Sequence, residues 1–165
     1  AEIYELMIDR LVDAGYEQYE ISNFAKSSFE SRHNTKYWRL DPVFGFGVSA
    51  HSFDGRQRYS NARDTADYVR RIEESGSAEV FREPTDLESE SAFLGLRLST
   101  GIHLESYRRH FGIDLEDKYR PELDRVNEAG LIEIRDGRMR LTRKGVLYSN
   151  EVFQLFVSDH AAASG

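Results

Sequence analysis

Residues Glu2 to Ala14 place Ile3, Leu6, Met7, Arg10, Leu11 and Ala14 at three- and four-residue spacing, an amphipathic helix with Gly15 as its stop signal. From Tyr16 to Ala25 the period changes to two: Tyr19, Ile21 and Asn23 alternate against Glu20, Ser22 and Phe24, which predicts a strand. A helix running into a strand is half of an α/β unit, and its parallel sheet needs another strand on the far side of the helix. None precedes Glu2, so this segment is expected to finish an architecture begun upstream. The opening Ala1-Glu2-Ile3-Tyr4, already helical in pattern and without an initiator Met, carries the same expectation of an excised or processed piece.

Lys26 to Asp41 is polar and reads as an ordered loop, with His33 to Arg39 able to form a turn or two of helix. Val43 to Phe53, apolar and punctuated by glycine, reads as the first arm of a hairpin that turns at Asp54-Gly55 into Arg56 to Ser60. A helix over Thr65 to Glu74 stops at Gly76, and the stretch up to Pro84 resembles a linker. The capping pattern Thr85-Asp86-Leu87-Glu88 then opens a second module. Its predicted helices are Thr85 to Leu98, Leu104 to Phe111 and Pro121 to Glu128. A hairpin follows (Leu131 to Ile134, turn Asp136-Gly137, Met139 to Leu141), and then a helix over Thr142 to Phe156. Helices followed by such a hairpin are the layout of a winged helix. The expected division is 1–76, a linker 77–84, a winged-helix-like domain 85–157 and a frayed tail 158–165.

The 165 residues include no cysteine, so this chain alone can build no disulfide, thiolate nucleophile or cysteine-held iron–sulfur cluster. A hydrophobic fraction of 39% beside 31% charged residues is that of a globular protein. The net charge of −7 repels nucleic acid and anionic membranes on average. The third predicted helix of the second module, with its approach (Glu116 to Glu128), holds five acids against three bases, the wrong sign for a phosphate-lined groove. Arg135, Arg138, Arg140, Arg143 and Lys144 around the wing read as a solvated surface, and no nucleic-acid partner is expected. No apolar run approaches the roughly 20 residues of a membrane span and no signal peptide is evident, so the cytoplasm is the expected location.

None of His33, His51, His103, His110 and His160 forms an HExxH or a close ligand pair. His33 stands apart because it lies in Arg32-His33-Asn34-Thr35-Lys36-Tyr37-Trp38, beside the sole Trp. In a helix, His33 and Tyr37 share a face, and an imidazole over an aromatic ring could ligate a planar metal macrocycle. From spacing alone the simpler account is a loop pinned by Tyr37 and Trp38, with His33 bonded to backbone. Gly45-Phe46-Gly47 lacks the third glycine of a dinucleotide fingerprint and marks close backbone approach or a bulge. His51 and Ser52 have no nearby acid in sequence and read, like Gly45 and Gly47, as structural or supporting groups.

Four segments in order are Tyr19-Glu20-Ile21-Ser22-Asn23-Phe24-Ala25, Ser31 to Trp38, Gly45 to Phe53, and Gly130-Leu131 to Phe156. Together they resemble the C-terminal half of the oxygen-independent coproporphyrinogen III oxidase family, over the chain to about Val157. The resemblance implies a radical S-adenosylmethionine protein: the end of a partial (β/α)6 barrel followed by the winged-helix-like domain, hence α/β plus α+β. HNxxYW, here His33 to Trp38, resembles the haem-chaperone branch more than the decarboxylating enzymes, which tend to carry an Asn-Phe-x-Gly-Tyr-Thr-Thr type of segment there. By that resemblance His33 is the haem-ligand candidate, in a pocket shaped by Asn34, Tyr37 and Trp38. Tyr16 to Ala25 becomes the last barrel strand, with Tyr19, Glu20, Ser22 and Asn23 toward S-adenosylmethionine.

The family's CxxxCxxC motif for a [4Fe–4S] cluster is absent, so no radical chemistry and no resident cofactor are expected of this chain alone. The parent protein would use the cluster, S-adenosylmethionine and haem. Its implied partners are haem, the preceding barrel half and a haem-acceptor protein, with membrane contact only through that acceptor. The alternatives are part of a genuine coproporphyrinogen III oxidase, or a winged-helix protein-interaction module. Without earlier strands, Tyr16 to Ala25 would keep unpaired edges, so the chain is expected to self-associate there or through Phe44 to Phe53. Light scattering should show mass above the monomer at high concentration; a strict monomer would contradict it.

Overall fold

The computed structural model describes residues 2–157; the tail read as frayed, with His160, lies outside the described residues. It is a mixed α/β structure in which the described strands form three small antiparallel sheets. Helix α1 (Glu2–Asp13) ends before Gly15, whose φ of +80° reverses the chain. The single strand predicted over Tyr16 to Ala25 is instead a tight hairpin, β1 (Glu17–Glu20) and β2 (Asn23–Ala25), with Glu17 opposite Ala25 and Glu20 opposite Asn23. The Glu20 carboxylate closes the turn by accepting from the Ser22 amide at 2.9 Å and from Asn23 Nδ2 at 2.6 Å. Period-two parity put Glu20 and Asn23 on opposite faces, and the reversal brings them together.

Helix α2 (Arg32–Trp38) forms where the sequence allowed one. Of the strand expected over Val43 to Phe53, only β3 (His51–Phe53) is extended. Residues 43–50 loop out, with Val43 bridged back to Phe53, the Ala50 amide bonded to the Gly47 carbonyl and Ser49 at φ +60°. The glycines that read as strand punctuation therefore break the strand. The turn at Asp54-Gly55 is as predicted and leads to β4 (Gln57–Asn61), followed by α3 (Thr65–Ser75), which is capped by Asp64 and ends at Gly76.

The expected linker is corrected as well: most of it is β5 (Glu79–Pro84), paired antiparallel to β4 in a sheet of order β3-β4-β5. Its residues carry no apolar alternation, and long-range charge pairing decides its place. Arg82 reaches Glu79 at 2.6 Å and Asp54 at 3.0 Å, and lies over the Tyr59 ring at 4.3 Å.

Helix α4 (Leu87–Arg97) is capped by Asp86, one residue later than predicted. Then come β6 (Ile102–His103), α5 (Leu104–Phe111), α6 (Leu115–Lys118), α7 (Arg120–Glu128), β7 (Ile132–Arg135) and β8 (Arg138–Leu141). The sheet order is β6-β8-β7, so the short strand after α4 lies beside the second arm of the hairpin. The last predicted helix is two, α8 (Arg143–Leu147) and α9 (Ser149–Val157), broken at Tyr148. The break turns Val152, Phe153 and Phe156 into the core beside α4, where they meet Leu96, Leu115 and Met139. That close-packed cluster is the main apolar store of the molecule.

Acid should loosen the β3-β4-β5 sheet first. Asp54 is held below the usual carboxylate range by the Gln57 and Arg56 amides and then by Arg82, and Glu79 by Arg82. Depressed carboxylates contribute stability that is complete above their unfolded values, about 4, and is lost as pH falls through the folded ones. Urea midpoints measured between about pH 2 and pH 6 should fall in acid, and less steeply in Arg82→Met.

Candidate functional site

The Arg32–Trp38 segment becomes a helix because Ser31 caps it: its Oγ accepts from the Asn34 amide at 3.2 Å, and Thr35 Oγ1 donates to the Ser31 carbonyl at 2.8 Å. The Ser31 amide in turn donates to the Tyr19 hydroxyl at 3.4 Å, tying the helix start to β1. His33 and Tyr37, four residues apart, meet edge to face with ring centroids 5.0 Å apart and an interplanar angle of 81°. His33 is exposed, Tyr37 is 40% exposed, and the imidazole nitrogens have no hydrogen-bond partner among the described residues. The reading of His33 as bonded to backbone does not hold. An imidazole free on both nitrogens, steadied by an aromatic edge and open to solvent, can ligate a metal-centred macrocycle from one side.

Trp38 does not share that face. It lies under the Arg97 guanidinium, 4.4 Å from the ring, with its Nε1 buried and without a partner. Asn34 is half-buried, and its amide serves the cap. The third face of α2, with Arg32, Thr35, Lys36 and Arg39, lines an open cleft of about 690 Å³ against Glu17 to Tyr19 and Leu98 to Thr100.

Of the residues inferred to face S-adenosylmethionine, Glu20 and Asn23 are bonded to each other within the hairpin. Glu20 is completely buried, with Oε2 on Ser22 and Asn23 and Oε1 accepting from Arg97 Nη2 at 2.6 Å. The Tyr19 carbonyl accepts from the Ser99 amide, and the Arg97 carbonyl accepts from Ile21, so the chain after α4 runs antiparallel beside β1. Ser22 is exposed. Gly45, Gly47, His51 and Ser52 lie in and beside the loop that leads into β3. The Gly45 amide donates to the buried Ser52 hydroxyl at 3.0 Å, Asn61 Nδ2 donates to the Gly47 carbonyl, and a Cβ at Gly45 would lie 2.4 Å from the His51 carbonyl oxygen.

Sequence reasoning missed Arg97. It closes an apolar run at the end of α4, 77 residues from Glu20, and nothing local announces its partners. Among the described residues no His, Cys, Asp or Glu cluster is arranged for a metal ion, and no helix is long and apolar enough to cross a membrane.

The HemN C-terminal domain family matches residues 83–148. Over 164 residues the chain is 35% identical to "Heme chaperone HemW" of Bacillus subtilis (strain 168), covering 96% of this chain and 43% of that protein. The Lactococcus lactis protein of the same name is 32% identical over 161 residues, with 96% and 42% covered, and the Escherichia coli (strain K12) protein 29% over 163, again with 96% and 42%. The chain thus spans about two fifths of the length of these relatives. Among solved structures, coproporphyrinogen III oxidase (HemN) from Escherichia coli, a radical SAM enzyme, superposes with a TM-score of 0.75 at 18% identity. That match covers 93% of this chain and 40% of the other, a likeness of fold.

Gly45→Ala should destabilise the protein by about 1–3 kcal/mol, because the contact it creates is with backbone that cannot swing aside. Urea unfolding measures it, and an unchanged midpoint would show that the loop yields.

Proposed function

With residues 83–148 forming a HemN C-terminal domain and nearly the whole chain homologous to the C-terminal part of the heme chaperones HemW, we propose that this chain presents haem for delivery to an acceptor protein. The observation that carries the reading is the free, exposed imidazole of His33 held edge-on by Tyr37. Iron held by one exposed side chain can be given up to a better-enclosed site, which suits a carrier more than a haem enzyme. His33 is the ligand and Tyr37 covers the edge of the macrocycle. Asn34, through the helix cap, and Trp38, through its stack on Arg97, fix the helix from behind.

In the same proposal the chain is the end of a partial radical S-adenosylmethionine barrel followed by a winged-helix-like domain. Ile3, Leu6 and Val12, more than half exposed on α1, are the surface against which a preceding barrel half would pack. The cluster thiolates and most contacts to S-adenosylmethionine would come from that half, since the chain has no cysteine and Glu20 and Asn23 already satisfy each other. The boundary proposed near residues 77–84 falls within or just before β5, so a paired strand leads into the second part.

Titrating the chain with ferric haem should give a Soret band of imidazole-ligated haem and quench Trp38, the only tryptophan. His33→Ala should weaken binding at least tenfold and shift the band; identical titrations for both proteins would remove the haem assignment.

A further inference from the structure

We propose that Arg97, in the HemN C-terminal domain, is the positioning residue of the haem-ligand helix, so that this domain acts as the clamp that sets the direction of His33. The inference rests on the reading of His33 as a haem ligand and goes beyond it by assigning a role to the domain.

Helix α2 cannot hold itself. It is seven residues long, far below the length at which a helix is stable alone, and none of its residues is fully buried. Its side-chain anchors are few. At its start, the Tyr19 hydroxyl accepts from the Ser31 amide at a long 3.4 Å. At its end, the Trp38 ring lies under the Arg97 guanidinium, 4.4 Å from its carbon to the ring centroid, and α4 is the element α2 packs on most.

Arg97 is itself fixed from three sides. Glu20 accepts from its Nη2 at 2.6 Å, Phe153 of α9 lies 5.8 Å from the guanidinium carbon, and its carbonyl accepts from Ile21. One side chain therefore joins the β1–β2 hairpin, the end of α4, α9 and the helix that carries His33. A guanidinium suits the task because its plane stacks on the indole while its edge still donates to a carboxylate, which an ammonium does less well.

The arrangement also has a cost. Trp38 Nε1 and Arg97 Nε are buried without partners, and Glu20 is a carboxylate with no exposure. Core packing alone would be served by apolar residues at lower cost. The stack instead ties the direction of α2 to an ion pair whose carboxylate has no solvent exposure. His33 and Trp38 lie 140° apart around the helix at 100° per residue, so seating Trp38 under Arg97 turns His33 outward.

The test uses the full chain and ferric haem as the probe. Glu20→Gln/Arg97→Met removes the clamp without leaving an uncompensated buried charge, Arg97→Lys keeps a cation over the indole, and circular dichroism with urea unfolding establishes that each folds. Without haem, acrylamide quenching of Trp38 should rise about two- to threefold in the double variant and stay near the parent value in Arg97→Lys. With haem, the double variant should bind about tenfold more weakly, its Soret band should move toward that of His33→Ala, and Arg97→Lys should restore most of both. A folded double variant with unchanged Trp38 quenching, or with changed quenching but parental haem affinity and spectrum, would overturn the proposal. If His33→Ala binds haem as the parent does, the haem reading falls, and Trp38 quenching alone then decides whether Arg97 positions α2.

Discussion

A carboxylate with no solvent exposure must be answered from within the fold, and the way Glu20 is answered organises the molecule. One oxygen closes its own hairpin through Ser22 and Asn23, and the other takes the Arg97 guanidinium from 77 residues away. Breaking such a pair on one side typically costs about 3–5 kcal/mol, a large share of the stability of an ordinary domain. Because Arg97 also stacks on Trp38, the same pair determines where α2 lies and which way the exposed His33 faces.

The two ends of this contact differ in how they are stabilised. On the Arg97 side, α4 to α9 and the β6-β8-β7 sheet enclose a continuous core with Leu96, Met139, Val152 and Phe156 almost free of solvent. On the Glu20 side, Ile8 is the sole buried residue of α1, and no side chain of α2 or α3 is fully buried. Arg58 and Glu90 add a second polar tie between β4 and α4. Phe44 and Phe46 stay exposed in the loop before β3, the latter at 92%. Both edges of β1 are taken, by β2 on one side and by the chain after Arg97 on the other.

Legibility followed the range of the signal. The helical period of Glu2 to Asp13, the turn at Asp54-Gly55, the stops at Gly15 and Gly76, and the Leu104–Phe111 helix were all plain, because each depends on residues within one or two turns of one another. The strand β5 was not: its side chains are charged or exposed, and only pairing with β4 and the Arg82 contacts extend it. The split of α8 from α9 carries no glycine or proline at Tyr148 and comes from the direction the core demands of Phe153 and Phe156. Spacing put His33 and Tyr37 on one helical face, whereas the partner of Trp38 lies in another element, beyond any local pattern.

The amino-acid sequence by itself determined the first helix, the Asp54-Gly55 turn, the Leu104–Phe111 helix, the absence of any thiolate and the HNxxYW segment with His33 and Tyr37 on one helical face. These follow from the backbone period, the turn chemistry and the inventory of side chains. Only the tertiary structure decided that Tyr16 to Ala25 doubles back, that Glu20 meets Arg97 and that Trp38 turns away from His33 onto the guanidinium. Desolvation and charge pairing act between groups that chain folding brings together, and at a separation of 77 residues no local pattern can specify them.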